Sequence, residues 1–491
     1  MPVVPLKEQL LRRKPIVFKS HLHSGEELPR TLTTFQLTMF GVGATVGTGV
    51  FFVLSESVPK AGAAVLISFV VAAIAAGLSA LCYAELSSAI PVSGSTYSYS
   101  YHALGELAAV GVAACVLLEY GVSASAVAVG WSGYFNKLLQ NLFGFELPTA
   151  LSVSFVPGFD GEATGGIINL PAVVLVLMCM FLLLRGASES AKVNTIMVLI
   201  KVGVLILFSI IAMTAWEADH FANFFQYGAA GISAAAGAIF FSFIGLDAVA
   251  TAGEEVKDPQ RALPRAIIGA LFIVTAIYLL VAIAGLAAKP VEWFDTPDAK
   301  NAGLAKILDD VTGSPIWSTV LAAGAVISIF SVTLVTLYGQ TRVLFAIARD
   351  GMVPRRFLNV NPKTMTPTFN TIVVSIAGGL HRRLRARRTT CGTPVDRHRS
   401  PSPVVAISVI VLRRTHGHLD RPFKVPSYPL VPILTVVACA YILWGLHWST
   451  WLIFGCWLVV VFTSTGSTAA RQRSTTTTWT MMIGDAAAHI E

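Results

Sequence analysis

The stretch from Thr34 to Leu54 reads "TFQLTMFGVGATVGTGVFFVL" and places Gly41, Gly43, Gly47 and Gly49 within nine residues of an otherwise apolar run. The run is long enough to cross a bilayer core, which takes about 20 helical residues. Each glycine costs a helix interior roughly 1 kcal/mol, so four together invite the helix to unwind. Close helix packing is the competing reading, since Gly43 to Gly47 is also a GxxxG spacing. A dinucleotide fingerprint is excluded, because the spacing is GxGxxxG and no strand precedes it.

The surroundings favour a membrane. The chain has 491 residues, 54% hydrophobic and 13% charged, against about a quarter charged in soluble domains. Apolar runs of spanning length start near Thr33, Ala61, Ala108, Ile167, Val193, Gly228, Ala266, Pro315, Pro429 and His447, with a gap where two more fit. Cys82, Cys115, Cys179, Cys439 and Cys456 lie in apolar runs, and no CxxC or Cys/His spacing occurs. Neither a disulfide framework nor a metal site is expected. Residues 1–30 are polar and basic without a signal-peptide core. They carry Lys7, Arg12, Arg13, Lys14, Lys19 and Arg30, which sets them inside by the positive-inside rule. Lys257, Arg261, Arg265, Arg349, Arg355, Arg356 and Lys363 then also fall inside. Lys289, Lys300 and Lys306 fall outside, diluted by Glu292, Asp295, Asp298, Asp309 and Asp310.

A second interruption occurs in "FFSFIGLDAVATAGEE", Phe240 to Glu255, which holds Gly245 and an intramembrane Asp247. Two broken hydrophobic segments five spans apart point to an inverted-repeat carrier with its site at the midplane. Exposed amides at a half-helix start receive an anion such as a carboxylate. Freed carbonyls at the other break take an ammonium, and an α-amino acid has both groups.

One stretch contradicts this pattern. "HRRLRARRTTCGTPVDRHRS", His381 to Ser400, holds seven arginines and Asp396, and so +6 of the formal net charge of +8. The apolar fragments on either side, "TFNTIVVSIAGGL" and "VVAISVIVL", are each too short to span. Completing both uses most of the residues between them. The length fits two helices and the composition does not, since each arginine at mid-bilayer costs roughly 2.5–3.5 kcal/mol. A compensated pair of frame changes in a GC-rich gene accounts for such a length-conserving replacement. A re-entrant polar loop and a functional basic patch are the alternatives. Nucleic-acid binding here conflicts with the side that the flanking spans assign. The tail from Thr463 fits the same frame-change origin, because it cuts the last span short.

"GATVGTGVF" (Gly43 to Phe51), "PVSGSTYSYSYHALGE" (Pro91 to Glu106), "EYGVSASAVAVGWSGY" (Glu119 to Tyr134), "FFSFIGLDAVATAGEEVKDPQRALPRAI" (Phe240 to Ile267), "LYGQTRVLFAIARDGMVP" (Leu337 to Pro354) and "RPFKVP" (Arg421 to Pro426) together resemble the amino acid-polyamine-organocation superfamily, in particular its cationic amino acid transporter family. The resemblance covers about residues 30–462 and departs from the family at residues 381–402 and again after Phe462. It implies an all-α polytopic membrane protein with a LeuT-like inverted repeat (5+5) plus two helices. Twelve spans are expected, with the ninth and tenth disrupted. The domain plan is a tail over residues 1–30, a permease domain over 31–462 and a C-terminal tail over 463–491.

The resemblance also assigns a site. The substrate carboxylate maps to Gly43, Ala44, Thr45, Gly47, Thr48 and Gly49, and the amino group to carbonyls of Phe241, Ser242 and Ile244. Phe241 is implied to gate the substrate, although a Phe in a membrane helix commonly only packs. Lys201 lies eight residues after Val193, about 12 Å along its helix, where snorkelling to the interface is strained. It is implied to couple protons in the place of a sodium ion, with a static cation bridging helix-end carbonyls as the alternative. Glu119 is a buried carboxylate that must be paired or protonated; it tunes coupling, meets a lipid or helper subunit, or makes a structural hydrogen bond. Asp247 either holds the break open or approaches the substrate amine. Glu254 and Glu255 are expected near Arg261 and Arg265.

The expected activity is proton-coupled amino acid transport across the plasma membrane by alternating access, with cationic substrates first and neutral amino acids or polyamines second. The partners are an amino acid, a proton and the lipid bilayer, with no nucleic acid. A non-transporting sensor or an inactive relic is the reading from another class. No GxSxG, HExxH or P-loop occurs, so no catalytic residue and no cofactor is expected.

Overall fold

A computed structural model describes residues 13–15, 28–145, 147–152, 168–243, 245–385, 402–444 and 455. Ile244, residues 386–401 and the C-terminal tail 463–491 lie outside the described residues, as does the Thr48 side chain. Helices make up the fold, and the one strand-like feature among the described residues is an isolated parallel bridge between Leu32 and Val256.

The chain enters α1 (Thr34–Thr45) through a capping box, in which Thr33 and Gln36 satisfy each other's backbone amides. It continues after a break as α2 (Thr48–Ala61) and then α3 (Val65–Ala89). The short α4 (Thr96–Ala103) leads into the 38-residue α5 (Glu106–Phe143). Then come α6 (Leu170–Arg185), α7 (Ala187–Ala212), α8 (Gly228–Phe241) and the 30-residue α9 (Pro259–Ala288). The polar α10 (Pro297–Thr312) precedes α11 (Pro315–Arg349), and α12 (Thr368–Arg385), α13 (Ser402–Thr415) and α14 (Leu430–Trp444) complete the described chain.

Among the described residues, four helical stretches are long and apolar enough to cross a membrane: Gly49–Ala89, Ala187–Ala215, Pro259–Ala288 and Pro315–Arg349. Leu170–Arg185, Gly228–Phe241 and Leu430–Tyr441 are shorter apolar helices. Phe181, Ile196, Ile210 and Phe272 point outward, the last 71% exposed. In water such a surface would drive aggregation; a bilayer removes that cost. The helix α11 is the central post, packed on α5, α7 and α1, and is buried along most of its length. Around it, α9 lies across α1 and α3. This arrangement sets α1 between α7, α9 and α11, with its break in the middle of the bundle.

One end of the bundle is closed by ion pairs. Glu255 accepts from Arg342 Nε at 2.7 Å and Nη2 at 3.3 Å, both side chains being at most 1% exposed. Glu254 pairs with Arg349 at 2.7 and 3.0 Å and also accepts from the Ser93 amide at 2.9 Å. These partners correct the expectation that the two glutamates face Arg261 and Arg265. Glu85 pairs with Arg413 at 2.5 and 2.7 Å, and Lys14 with Asp350. The main chain of Glu255 accepts from Leu32 N at 2.9 Å, which ties the start of α1 to the same layer.

Candidate functional site at the two helix breaks

The first break is the step from Val46 to Gly47, where α1 stops and α2 restarts with no side-chain cap on its first amides. The four leading N–H groups of a helix have no intrahelical acceptor, so the start of α2 is a site where an anion finds donors. The glycines serve packing and unwinding together. A Cβ on Gly41 would stand 2.7 Å from Ala270 Cβ, on Gly43 2.9 Å from Asn194 Oδ1, on Gly47 2.6 Å from Val332 Cγ2 and on Gly49 2.8 Å from Ser242 Oγ. No side chain fits at any of them without displacing a neighbour.

The second break follows Phe241, where α8 ends, and helix resumes only over Ala248–Thr251. At Gly245 φ is +120°, a conformation L side chains rarely adopt, and a Cβ there would lie 3.0 Å from the Ala44 backbone. The two breaks therefore touch, Gly245 against Ala44. The ends of α1 and α8 are also joined from behind by Tyr278 of α9. Its hydroxyl lies 2.9 Å from the Thr45 carbonyl and 2.8 Å from the Ser242 carbonyl. Tyr278 is 1% exposed and packs edge-on against Phe243 and Phe69.

Lys201 reaches the first break from α7. Its Nζ donates to the carbonyls of Gly43 at 2.9 Å and Val46 at 2.5 Å, the groups left without helical partners when α1 unwinds. Ser328 Oγ of α11 donates to the same Val46 carbonyl at 3.1 Å. Lys201 is 1% exposed, and among the described residues no carboxylate pairs with it. Burying an ammonium without a counter-ion is expensive, and here two carbonyl dipoles carry the offset.

Asp247 lies at the second break, 8% exposed, and accepts from the Tyr120 hydroxyl at 2.6 Å. Glu119 precedes that tyrosine on α5, and its buried Oε2 has no hydrogen-bond partner among the described residues. Ala44, Gly49, Phe241 and Ser242 are half-buried around the meeting of the breaks, while Gly43, Thr45 and Gly47 are buried. Thus Gly43, Ala44, Gly49, Ser242 and Lys201 come together where α1, α2, α7 and α8 meet, Asp247 follows in the second break and is reached from α5 by Tyr120, and Glu119 is the residue before that tyrosine. Tyr278, Ser328, Asn194 and Ser331 complete the site and were not legible beforehand. Their polar atoms sit singly in apolar helices, and only their contacts distinguish them.

Broken helices meeting inside an apolar, lipid-facing bundle define a multi-pass membrane permease. The amino acid permease family profile matches residues 32–381, and the chain belongs to that family, within the amino acid-polyamine-organocation superfamily. Its work is amino acid transport. It is 37% identical over 457 residues to the methylthioribose transporter of Bacillus subtilis (strain 168), covering 92% of this chain and 96% of that one. It is 38% identical over 461 residues to a branched-chain amino acid permease of the same organism, covering 93% and 96%. A third relative is the vacuolar cationic amino acid transporter 2 of Arabidopsis thaliana, 34% identical over 415 residues, with 82% of this chain and 63% of that one covered.

Proposed function

We propose that the protein is a proton-coupled amino acid carrier of the plasma membrane, working by alternating access on a LeuT-like 5+5 scaffold with the N-terminal tail in the cytoplasm. The observation that carries this reading is the Lys201 ammonium on the Gly43 and Val46 carbonyls, at the break where α2 presents its free amides. The substrate carboxylate lies over Gly47, Thr48 and Gly49. Its ammonium meets the carbonyls at the end of α8, including that of Ser242. Lys201 exchanges its proton as α1 moves. Without the charge its grip on both carbonyls weakens, so protonation and the position of α1 are linked.

A cationic side chain is the first reading of specificity, supported by two buried carboxylates, Glu119 and Asp247, at the same site. A neutral apolar side chain is the second, supported by the 38% identity to a branched-chain amino acid permease over 93% of this chain. Residues 381–402 remain, in this proposal, a frame-changed replacement of the ninth and tenth spans within a permease domain of residues 31–462. The family match ending at residue 381 supports that placement.

Uptake into proteoliposomes tests both levels. Labelled lysine, leucine and methylthioribose are offered with and without an inside-alkaline gradient, to the chain as it stands and to one with an apolar two-helix hairpin over residues 381–402. An accelerated flux of one amino acid, made insensitive to the gradient by Lys201→Met, is the expected result. Gradient-independent flux in the unmutated chain removes the coupling reading. Efficient competition by methylthioribose, which has no carboxylate, removes the zwitterion reading. Absence of flux in both chains leaves the relic.

A further inference from the structure

A second polar rung lies on α7 two turns before the lysine. Asn194 and Lys201 are seven residues apart, about 10 Å along one helix face, and both are buried. Asn194 Nδ2 donates to the Met39 carbonyl of α1 at 3.2 Å, and its Oδ1 accepts from Ser331 Oγ of α11 at 2.8 Å. On α11, Ser331 and Ser328 are one turn apart, and Ser328 serves the Val46 carbonyl beside Lys201. The same three helices are therefore joined twice, once by an amide that does not titrate and once by an amine that does.

We propose that Asn194, held by Ser331, is a positioning residue for the coupling lysine: it pins α1 at Met39 so that the Gly43 and Val46 carbonyls are presented to Lys201. The proposal rests on Lys201 being the coupling group. The fit at Gly43 supports it, since the place of its missing Cβ is bounded by Asn194 Oδ1 at 2.9 Å, Nδ2 at 3.0 Å and Ser331 Oγ at 3.2 Å. The amide fills the space beside the carbonyl that Lys201 holds, and a displacement of Asn194 frees α1 to move away from the lysine. The groups facing Lys201 are carbonyls from α1 and the Ser328 hydroxyl of α11, with Tyr278 of α9 serving the adjacent Thr45 carbonyl. Among the described residues no charged side chain pairs with it that could replace Asn194 in this role. When Lys201 releases its proton and its hold, Asn194 keeps the middle of α1, at Met39, in place. The motion of α1 becomes a tilt about that rung.

The test is the pH profile of uptake by the full-length carrier in proteoliposomes, for Asn194→Ala and for the milder Ser331→Ala. Loss of the rung draws carbonyls away from the protonated lysine and weakens proton binding, so half-maximal uptake moves to lower pH. A shift of about one pH unit is a tenfold change in proton affinity, and that is the expected size for Asn194→Ala, with a smaller shift in the same direction for Ser331→Ala. In a Lys201→Met background neither substitution moves the profile. A monodisperse Ser331→Ala protein with an unmoved profile overturns the inference and leaves the lysine reading intact. A pH dependence that survives Lys201→Met overturns the coupling reading instead, and a shift that persists in that background overturns the inference with it.

Discussion

At the scale of single residues, the site is a set of backbone groups released by two helix breaks and then claimed by a few side chains. Tyr278 has one hydroxyl proton and two carbonyls within reach, those of Thr45 and Ser242, one from each broken helix. Tyr278→Phe keeps the ring on Phe243 and Phe69 and removes the hydroxyl that bridges the two breaks. A buried carbonyl left without a donor costs about 1–3 kcal/mol, which in uptake assays corresponds to a KM raised by about 5- to 150-fold. A KM indistinguishable from the unmutated carrier means the hydroxyl does not shape the site. The glycines and Lys201 stood out in sequence because glycine clusters and a cation are anomalies in an apolar run. Tyr278, Asn194, Ser328 and Ser331 are ordinary in such runs, and their partners lie between 36 and 282 residues away.

At the scale of elements, the closed end of the bundle hangs on the segment after the second break. Glu255 holds α11 with its carboxylate and the start of α1 with its main chain. Arg342 is further fixed by Thr341 at 2.8 Å and by stacking on Tyr338, with the guanidinium carbon 3.9 Å from the ring centre. Removing one member of a buried ion pair leaves a bare charge and costs about 3–5 kcal/mol. Glu255→Gln alone should therefore lower the thermal midpoint in detergent clearly more than Glu255→Gln combined with Arg342→Met. A double variant no more stable than the single one would show that the pair's charge balance is not what the fold depends on. The breaks were readable as elements from Gly43 to Gly49 and from Gly245 to Asp247. The pairing of Glu254 and Glu255 was not, because proximity in sequence favoured Arg261 and Arg265, whereas the partners lie 95 and 87 residues on.

At the scale of the whole molecule, charge distribution and structure give the same asymmetry. The ion-pair layer with Lys14, Arg342 and Arg349 closes the end where the N-terminal segment lies, while α10 at the other end carries Lys306 and Asp310, bridged to Lys289 at the end of α9. In the proposed orientation, a cysteine introduced as Lys300→Cys in a chain otherwise freed of thiols reacts with an impermeant maleimide on intact cells. One introduced as Arg356→Cys reacts only after permeabilisation. The reverse pattern inverts the topology. The starts of α1, α8 and α11 followed from sequence to within a residue, since Thr33, Gly228 and Pro315 mark them chemically. The starts of α7 and α9 lay six or seven residues before the apolar runs, because polar residues such as Glu189 and Arg261 occupy their first turns.

The absent side chains of α1 and α2 also constrain the order in which this carrier can change over generations. At Gly47 a methyl group is blocked by Val332 Cγ2 at 2.6 Å, and at Gly41 by Ala270 Cβ at 2.7 Å. A neighbour that shrinks first opens a small void of modest cost; a glycine that grows first collides. Paths from this sequence to larger residues in the first broken helix therefore run through α9 and α11, and the helix proposed to hold the substrate is the last of the three free to diverge.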